Sequence, residues 1–178
     1  MQQSYLYFAV PDSVVKNNTL LPNASKERTN LDLDFTKSNH YVLAHDIALG
    51  KFLSVKTELY YQQLWNVPVY EVPSGVSSIN RGATFNRFFP IYTMTNTGTG
   101  YNYGIELTIQ KLFHNHFFFM YSGSLFESKY TGSNGKEYNT DFNGNYMMNL
   151  LLGLEYNVGK DKKNILSFGG KFTYGGGK

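Results

Sequence analysis

The sequence predicts an all-β chain folded as an antiparallel up-and-down meander of about seven long strands, and three observations carry that expectation. Apolar and polar residues alternate with period 2 over segments of about 10 to 13 residues, the signature of strands with one greasy and one wet face. Tyrosine (15) and phenylalanine (14) are abundant in the 178 residues, while charged residues stand at 16%, below the roughly 25% of ordinary soluble chains. Connections rich in glycine and asparagine alternate between long and short.

Taken in order, residues 4–10 form a short candidate strand, followed by a long segment over 11–38. Residues 39–49 read as a strand, although Leu43, Ala44, Ala48 and Leu49 would also suit a short helix. A tight turn near Gly50 leads into 53–62, where Leu53, Val55, Thr57, Leu59 and Tyr61 oppose Ser54, Lys56, Glu58, Tyr60 and Gln62. A second long segment spans 66–100.

The clearest alternation is at 102–112, with Tyr103, Ile105, Leu107 and Ile109 against Asn102, Gly104, Glu106, Thr108 and Gln110. After a short turn at 114–116 comes a strand at 117–130 whose faces are mixed, because Phe118, Met120 and Phe126 share a row with Ser122, Ser124 and Ser128. A loop over 131–145 precedes Met148, Leu150, Leu152, Leu154, Tyr156 and Val158, which oppose Asn149, Gly153, Glu155 and Asn157. A polar turn at 159–164 then gives way to Leu166, Phe168, Phe172 and Tyr174, set against Ser167, Lys171 and Thr173.

Alternation alone fits a soluble β-sandwich as well as a membrane barrel. The strands are nevertheless long, spanning roughly 33 to 43 Å at about 3.3 Å per residue, against five or so residues in a typical soluble domain. Aromatic residues gather near their ends, at Trp65, Tyr101, Phe113, Phe117, Tyr130, Tyr146, Tyr156 and Tyr174, where amphipathic rings meet head groups. Long connections alternate with tight turns, as in a barrel whose long loops face outward. The expected architecture is therefore a curved, open section of a transmembrane β-barrel, with residues 1–178 as a single unit.

Several functions are excluded or disfavoured. With no cysteine, the chain offers neither a disulfide framework nor a thiolate metal site. The longest apolar run, 147–154, is broken by Asn149 and Gly153 and falls far short of the ~20 residues of a spanning helix. The opening MQQSYLYFAV lacks the basic start and apolar stretch of a secretory signal, as expected of a cytoplasmic protein or a truncated one.

His114 and His116 flank one turn residue without a neighbouring carboxylate, which favours solvated turn histidines over a metal site. His40, His45 and Asp46 lack any strained nucleophile turn to complete a hydrolytic set, and Glu58 with Glu106 reads as lumenal charge more readily than as a glycosidase pair. The glycines from Gly98 to Gly104 have the wrong spacing for a dinucleotide site and enter a strand, as a loop exit would. Lys26, Glu27, Arg28, Asp32 and Asp34 form a charged loop, better read as solvated than as a calcium site. Positive charges are dispersed along the chain, so no nucleic-acid patch is expected. No catalytic residue, cofactor site or metal site is assigned, and the chain is not expected to be an enzyme.

The stretches GTGYNYGIELTIQKLF, SGSLFESKYTGSNGKEYNTDFNGNYMMNLLLGLEYNVG and KKNILSFGGKFTYGGGK, with SNHYVLAHDIALGKFLSVKTELYYQQLWNVPV upstream, resemble the barrel of TonB-dependent outer-membrane receptors. Within that family the likeness is to the subgroup often carrying a carboxypeptidase-regulatory-like domain, and it covers about residues 36–178. The second strand of the upstream stretch is expected to end in an Asn-Val-Pro corner. The resemblance implies a barrel of about 22 strands enclosing a plug domain. It further implies lipid and lipopolysaccharide around the barrel, TonB as energy-coupling partner, and an imported nutrient such as a siderophore or oligosaccharide.

Plug, signal peptide and final strands are lacking against that pattern, so the expectation is a late barrel fragment, located in the cell outer membrane as part of the complete protein and transporting nothing alone. The alternative is a soluble β-rich domain binding carbohydrate or protein. On the receptor reading, Lys56, Glu58, Gln62, Asn102, Glu106, Gln110, Asn149 and Glu155 face the lumen, and Leu59, Ile105, Leu107, Leu150 and Leu152 face lipid.

Overall fold

The computed structural model describes residues 14–16, 19–21, 30, 32–80 and 93–177. Among them the strands are β1 (Val14–Lys16), β2 (Thr19–Leu21), β3 (Lys37–Leu49), β4 (Leu53–Tyr70), β5 (Met94–His114), β6 (Phe117–Thr131), β7 (Glu137–Asn139), β8 (Tyr146–Val158) and β9 (Asn164–Gly175). β1 and β2 pair as a small antiparallel hairpin of their own. The other seven form one antiparallel sheet in the order β3-β4-β5-β6-β8-β9, with β7 added to β6. Apart from the short β7, sequence neighbours are sheet neighbours, so the sheet is an up-and-down meander, and it is not closed. The all-β fold class expected from the alternation is what the chain adopts.

Register separates the two faces. Ser122 pairs with Asn149, and Asn149 with Thr173, while one residue along, Tyr121 pairs with Leu150 and Leu150 with Phe172. A slip by one residue would exchange those rows, so the period-2 pattern itself pins the pairing.

Details differ from the sequence reading. Six strands are long and β7 has three residues, while the expected strand at 4–10 lies outside the described residues. The long segment over 11–38 contains the β1-β2 hairpin. Residues 39–49 belong to a strand, β3, with no helical turn. β4 runs on to Tyr70, so the expected Asn-Val-Pro corner is no corner. Instead Asn66 adopts a left-handed backbone (φ 55°) inside the strand, as a β-bulge residue does. Asparagine tolerates that conformation because its short amide bonds locally. Here Asn66 Nδ2 donates to Asp34 Oδ2 at 3.2 Å, and the Asn66 carbonyl accepts Asn96 Nδ2 at 2.7 Å. β5 starts at Met94, so Gly98 and Gly100 are strand residues and not a loop exit.

Chain contacts divide the molecule into two units. The first comprises Met1–Asn39, Gln62–Tyr101 and Ser128–Phe142. It holds the buried apolar side chains: Leu33, Tyr70 and Met94 cluster with Val76 against them, and Val67 and Val69 are fully enclosed. Tyr130, expected at a head-group girdle, is a core residue here; its hydroxyl donates to the Gly75 carbonyl at 2.9 Å and its ring stacks on Tyr138. β5 approaches this core through Gly98, where a Cβ would stand 2.5 Å from Val69 Cγ1 and 2.8 Å from the Val67 carbonyl oxygen.

The second unit comprises His40–Tyr61, Asn102–Glu127 and Asn143–Lys178. Among its described residues only Asn143 and Gly153 are buried, so it encloses no apolar side chain. Its apolar row lies open, with Leu59 47% exposed, Ile105 41%, Leu125 62%, Leu152 46% and Phe172 60%.

Gly98→Ala is expected to lower stability by about 1 to 3 kcal/mol, because the new methyl meets backbone as well as a side chain. Gly170→Ala, with nothing within 4 Å, serves as the matched control. Urea midpoints of the two variants check this: the first falls and the second stays at the wild-type value.

Candidate functional site: the polar face of the sheet

The second unit carries its chemistry on one face. Even-numbered residues of β4 and β5 lie on the same side as the even-numbered residues of β6 and the odd-numbered residues of β8 and β9, as the register and the contacts between them require. Lys56 and Glu58 are ion-paired there at 2.8 Å. Thr173 Oγ1 donates to Asn149 Oδ1 at 2.9 Å. Glu106 and Asn149 line one small hollow of about 90 Å³ with Thr108, Ser122 and Ser124.

Of the eight residues expected to face a lumen, seven lie in this unit. Asn102 and Gln110 flank Glu106 along β5, about 13 Å to either side at 3.3 Å per residue. Glu155 is held by its backbone, its N–H donating to the His116 carbonyl at 2.8 Å. Gln62 belongs to the first unit, where its amide donates to Ser38 Oγ at 2.9 Å.

The sequence reading passed over Thr108, Ser122, Ser124 and Thr173 as site residues. The serines were masked by Phe118 and Met120 in the same row. Phe118 fits on the wet face because it lies directly across from Gly153, whose missing side chain leaves room for the ring. Tyr60 uses Gly104 in the same way, with its hydroxyl 2.7 Å from where a Cβ would be.

The residues weighed for metal or hydrolytic chemistry are spread over separate strands and turns of the sheet. His40 and His45 point to opposite faces of β3, since they are separated by an odd number of residues. His40 packs edge-on against Tyr60. The turn histidines are exposed but partnered: the His114 ring stacks on Phe52 at 3.9 Å, and the His116 ring stacks on Tyr156 at 5.2 Å while its Nδ1 lies 3.0 Å from the Glu155 carbonyl oxygen. Asn115 and His116 both have positive φ (53° and 72°), the pattern of the mirror-image two-residue hairpin turn. Among the described residues no three His, Asp or Glu side chains converge as metal ligands. Glu58 is committed to Lys56, which leaves no isolated pair with Glu106.

In the first unit, Asp34 is also committed. Its Oδ1 accepts the Phe35 N–H at 2.8 Å, Lys37 Nζ lies 3.2 Å from Oδ2, and Asn96 brackets its backbone on both sides. The backbone hydrogen bond from Phe35, then Lys37 and Asn66, hold its carboxyl below the usual carboxylate value. Such a carboxylate ties a loop to two strands, while Lys26, Glu27 and Arg28 of the same charged segment lie outside the described residues.

No protein-family model matches the chain, and no curated protein or solved structure matches it.

Because the folded carboxyl of Asp34 titrates below its unfolded value, its stabilising contribution is present above the ordinary carboxylate range and disappears as pH falls through the lowered value. Asp34→Asn is therefore expected to be less stable than wild type at neutral pH, with the gap closing towards pH 2. Urea midpoints of both proteins across that range would show a constant gap if the carboxylate were idle.

Proposed function

We propose that this chain is an arc of an outer-membrane β-barrel of the TonB-dependent receptor kind, its polar face lining the lumen and its apolar face meeting lipid. In the complete receptor this arc surrounds a plug domain and forms part of the route for a scarce nutrient driven through TonB. The observation that carries the reading is the second unit's open apolar row, set back to back with Lys56, Glu58, Glu106, Asn149 and Glu155. A soluble sandwich needs that row packed against another about 10 Å away. In a bilayer the row is already in its proper solvent.

The aromatic spacing supports the same reading. Tyr146 and Tyr156 on β8 are ten residues apart on the apolar face, as are Tyr103 and Phe113 on β5. Ten residues span about 33 Å, and a strand tilted by roughly 40° projects that length onto about 25 Å, the height of the apolar band between the two aromatic girdles of such barrels. Lys111 also behaves as an interfacial residue. It shares the apolar face with Ile105 and Leu107, and its ammonium turns back to the His114 and Phe117 carbonyls at 2.8 and 3.1 Å, over the Phe117 ring.

The unclosed sheet leaves β3 and β9 with one edge each. Pairing both edges with further strands would complete the ladder that a hydrocarbon medium demands.

Because the chain has no cysteine, single-cysteine variants report cleanly. In lipid vesicles, Leu107→Cys and Leu152→Cys are expected to resist a water-soluble maleimide and to carry fluorophores quenched by acyl-chain spin labels, while Ser122→Cys and Asn149→Cys react from water. Equal reactivity of all four, in a chain that stays monomeric without lipid, would establish the soluble binding domain instead. By the same logic Leu107→Arg should cost about 2 to 4 kcal/mol of folding free energy in the bilayer, and Ser122→Arg much less.

A further inference from the structure

The meander brings three tight turns of the second unit to one end of its strands: Gly50 to Phe52 between β3 and β4, Asn115 and His116 between β5 and β6, and Gly159 to Lys163 between β8 and β9. Side chains link them into a rim. Phe52 of the first turn stacks on His114, and His116 of the second stacks on Tyr156 near the end of β8.

Charge is concentrated on that rim. Lys51, Lys111, Lys160, Lys162 and Lys163 face two acids, Asp161 and Glu155, for a net of +3. The whole chain also carries +3, so the remainder sums to zero. Among the described residues Lys51, Lys160 and Lys162 have no acidic partner, and Lys163 reaches Asp161 only at 3.8 Å with both side chains largely exposed. Elsewhere, Lys37, Lys56 and Lys129 are each paired with an acid within 3.4 Å. Beside the lysines lie exposed rings, Phe52, Phe113, Phe117 and Tyr156, of the amphipathic or apolar kind that settle at the level of head groups.

We propose that this short-turn rim is an interaction surface for anionic phospholipid head groups, with the lysine ammonium groups taking lipid phosphates while the adjacent rings anchor at the boundary with the acyl chains. The proposal rests on the barrel reading above. Each lysine close to an anionic surface raises local partition by roughly fivefold at moderate salt, and the effect decays within a Debye length. Several unpaired lysines together are therefore enough for a lasting local enrichment of anionic lipid.

The test places a fluorophore on Asn164→Cys, at the rim, in the full chain reconstituted in phosphatidylcholine vesicles containing phosphatidylglycerol. Quenching by head-group spin-labelled phosphatidylglycerol is compared with quenching by spin-labelled phosphatidylcholine at equal mole fraction. At least threefold stronger quenching by phosphatidylglycerol is expected, falling to parity in 0.5 M salt and in the variant Lys51→Gln, Lys160→Gln, Lys162→Gln, Lys163→Gln. The variant Lys129→Gln, Lys136→Gln, which leaves the rim untouched, should keep the preference. Equal quenching by the two lipids in the wild-type chain would overturn the proposal while leaving the barrel reading intact, and a preference surviving the fourfold variant would overturn it too. No quenching by either lipid would sink the barrel reading and this inference with it.

Discussion

An apolar row that no described residue covers is the constraint on which the second unit depends. Burial of apolar side chains ordinarily supplies the main favourable term in folding. Here that term is absent within the unit, since Asn143 and Gly153 are its only buried residues among those described. What remains is the backbone ladder, running without a break from Met147 opposite Gly175 to Val158 opposite Asn164 on one side of β8, and from Leu125 opposite Tyr146 to Phe117 opposite Leu154 on the other. In water each such bond competes with solvation and contributes little net stability. In hydrocarbon the competing solvent is gone, and leaving a bond unmade costs several kcal/mol. The medium that suits the exposed row is also the one in which the ladder alone suffices.

The first unit obeys a different rule. It buries Val67, Val69, Tyr70 and Met94 as any water-facing domain would, and it satisfies a left-handed Asn66 through Asp34 and Asn96. β4 and β5 each contribute to both units, so one continuous strand changes its mode of stabilisation part-way along. The change is visible in β4, where alternating exposure over Glu58 to Leu64 gives way to four successive buried residues from Val67 to Tyr70.

That change also marks how far the sequence could be read. Where one face is apolar and the other polar, period 2 was legible, and strands β4, β5, β8 and β9 were found with the correct rows, while β3 was read as a strand without its rows. It failed where both faces are buried, because Val67, Pro68, Val69 and Tyr70 show no alternation and Pro68 reads as a strand breaker. The C-terminal end of β4 and the N-terminal part of β5 were therefore taken for loop. Tyr130 was misjudged for a related reason: its position at a strand end is the same in a girdle and in a core, and only the Gly75 carbonyl and the Tyr138 ring distinguish them. In β6 the faces were unreadable because Phe118 stands on the wet side, a choice that makes sense only once register puts Gly153 opposite it. The residues expected to face a lumen were chosen by parity, whereas the partners that give Asn149 and Glu106 a shared hollow lie on other strands and required the pairing to be known.

Charge shows the same dependence on pairing more sharply. Along the sequence the lysines look evenly scattered, with Lys51, Lys111 and Lys160 separated by intervals of 60 and 49 residues. Those intervals each correspond to passing up and down the sheet, so every return of the chain to the short-turn end brings another lysine with it. A meander converts a long, regular spacing in sequence into adjacency in space. Dispersed charge in a β-meander is thus no argument against a charged surface; the relevant quantity is which end of the strands each charge occupies. For this chain the turn end of the second unit holds as much positive charge as the whole sequence carries net, and the polar row holds Lys56 paired and Glu106 set among hydroxyls and amides. The two charged surfaces are built by different periodicities of one sequence, two residues for the face and a full pass of the strand pair for the rim.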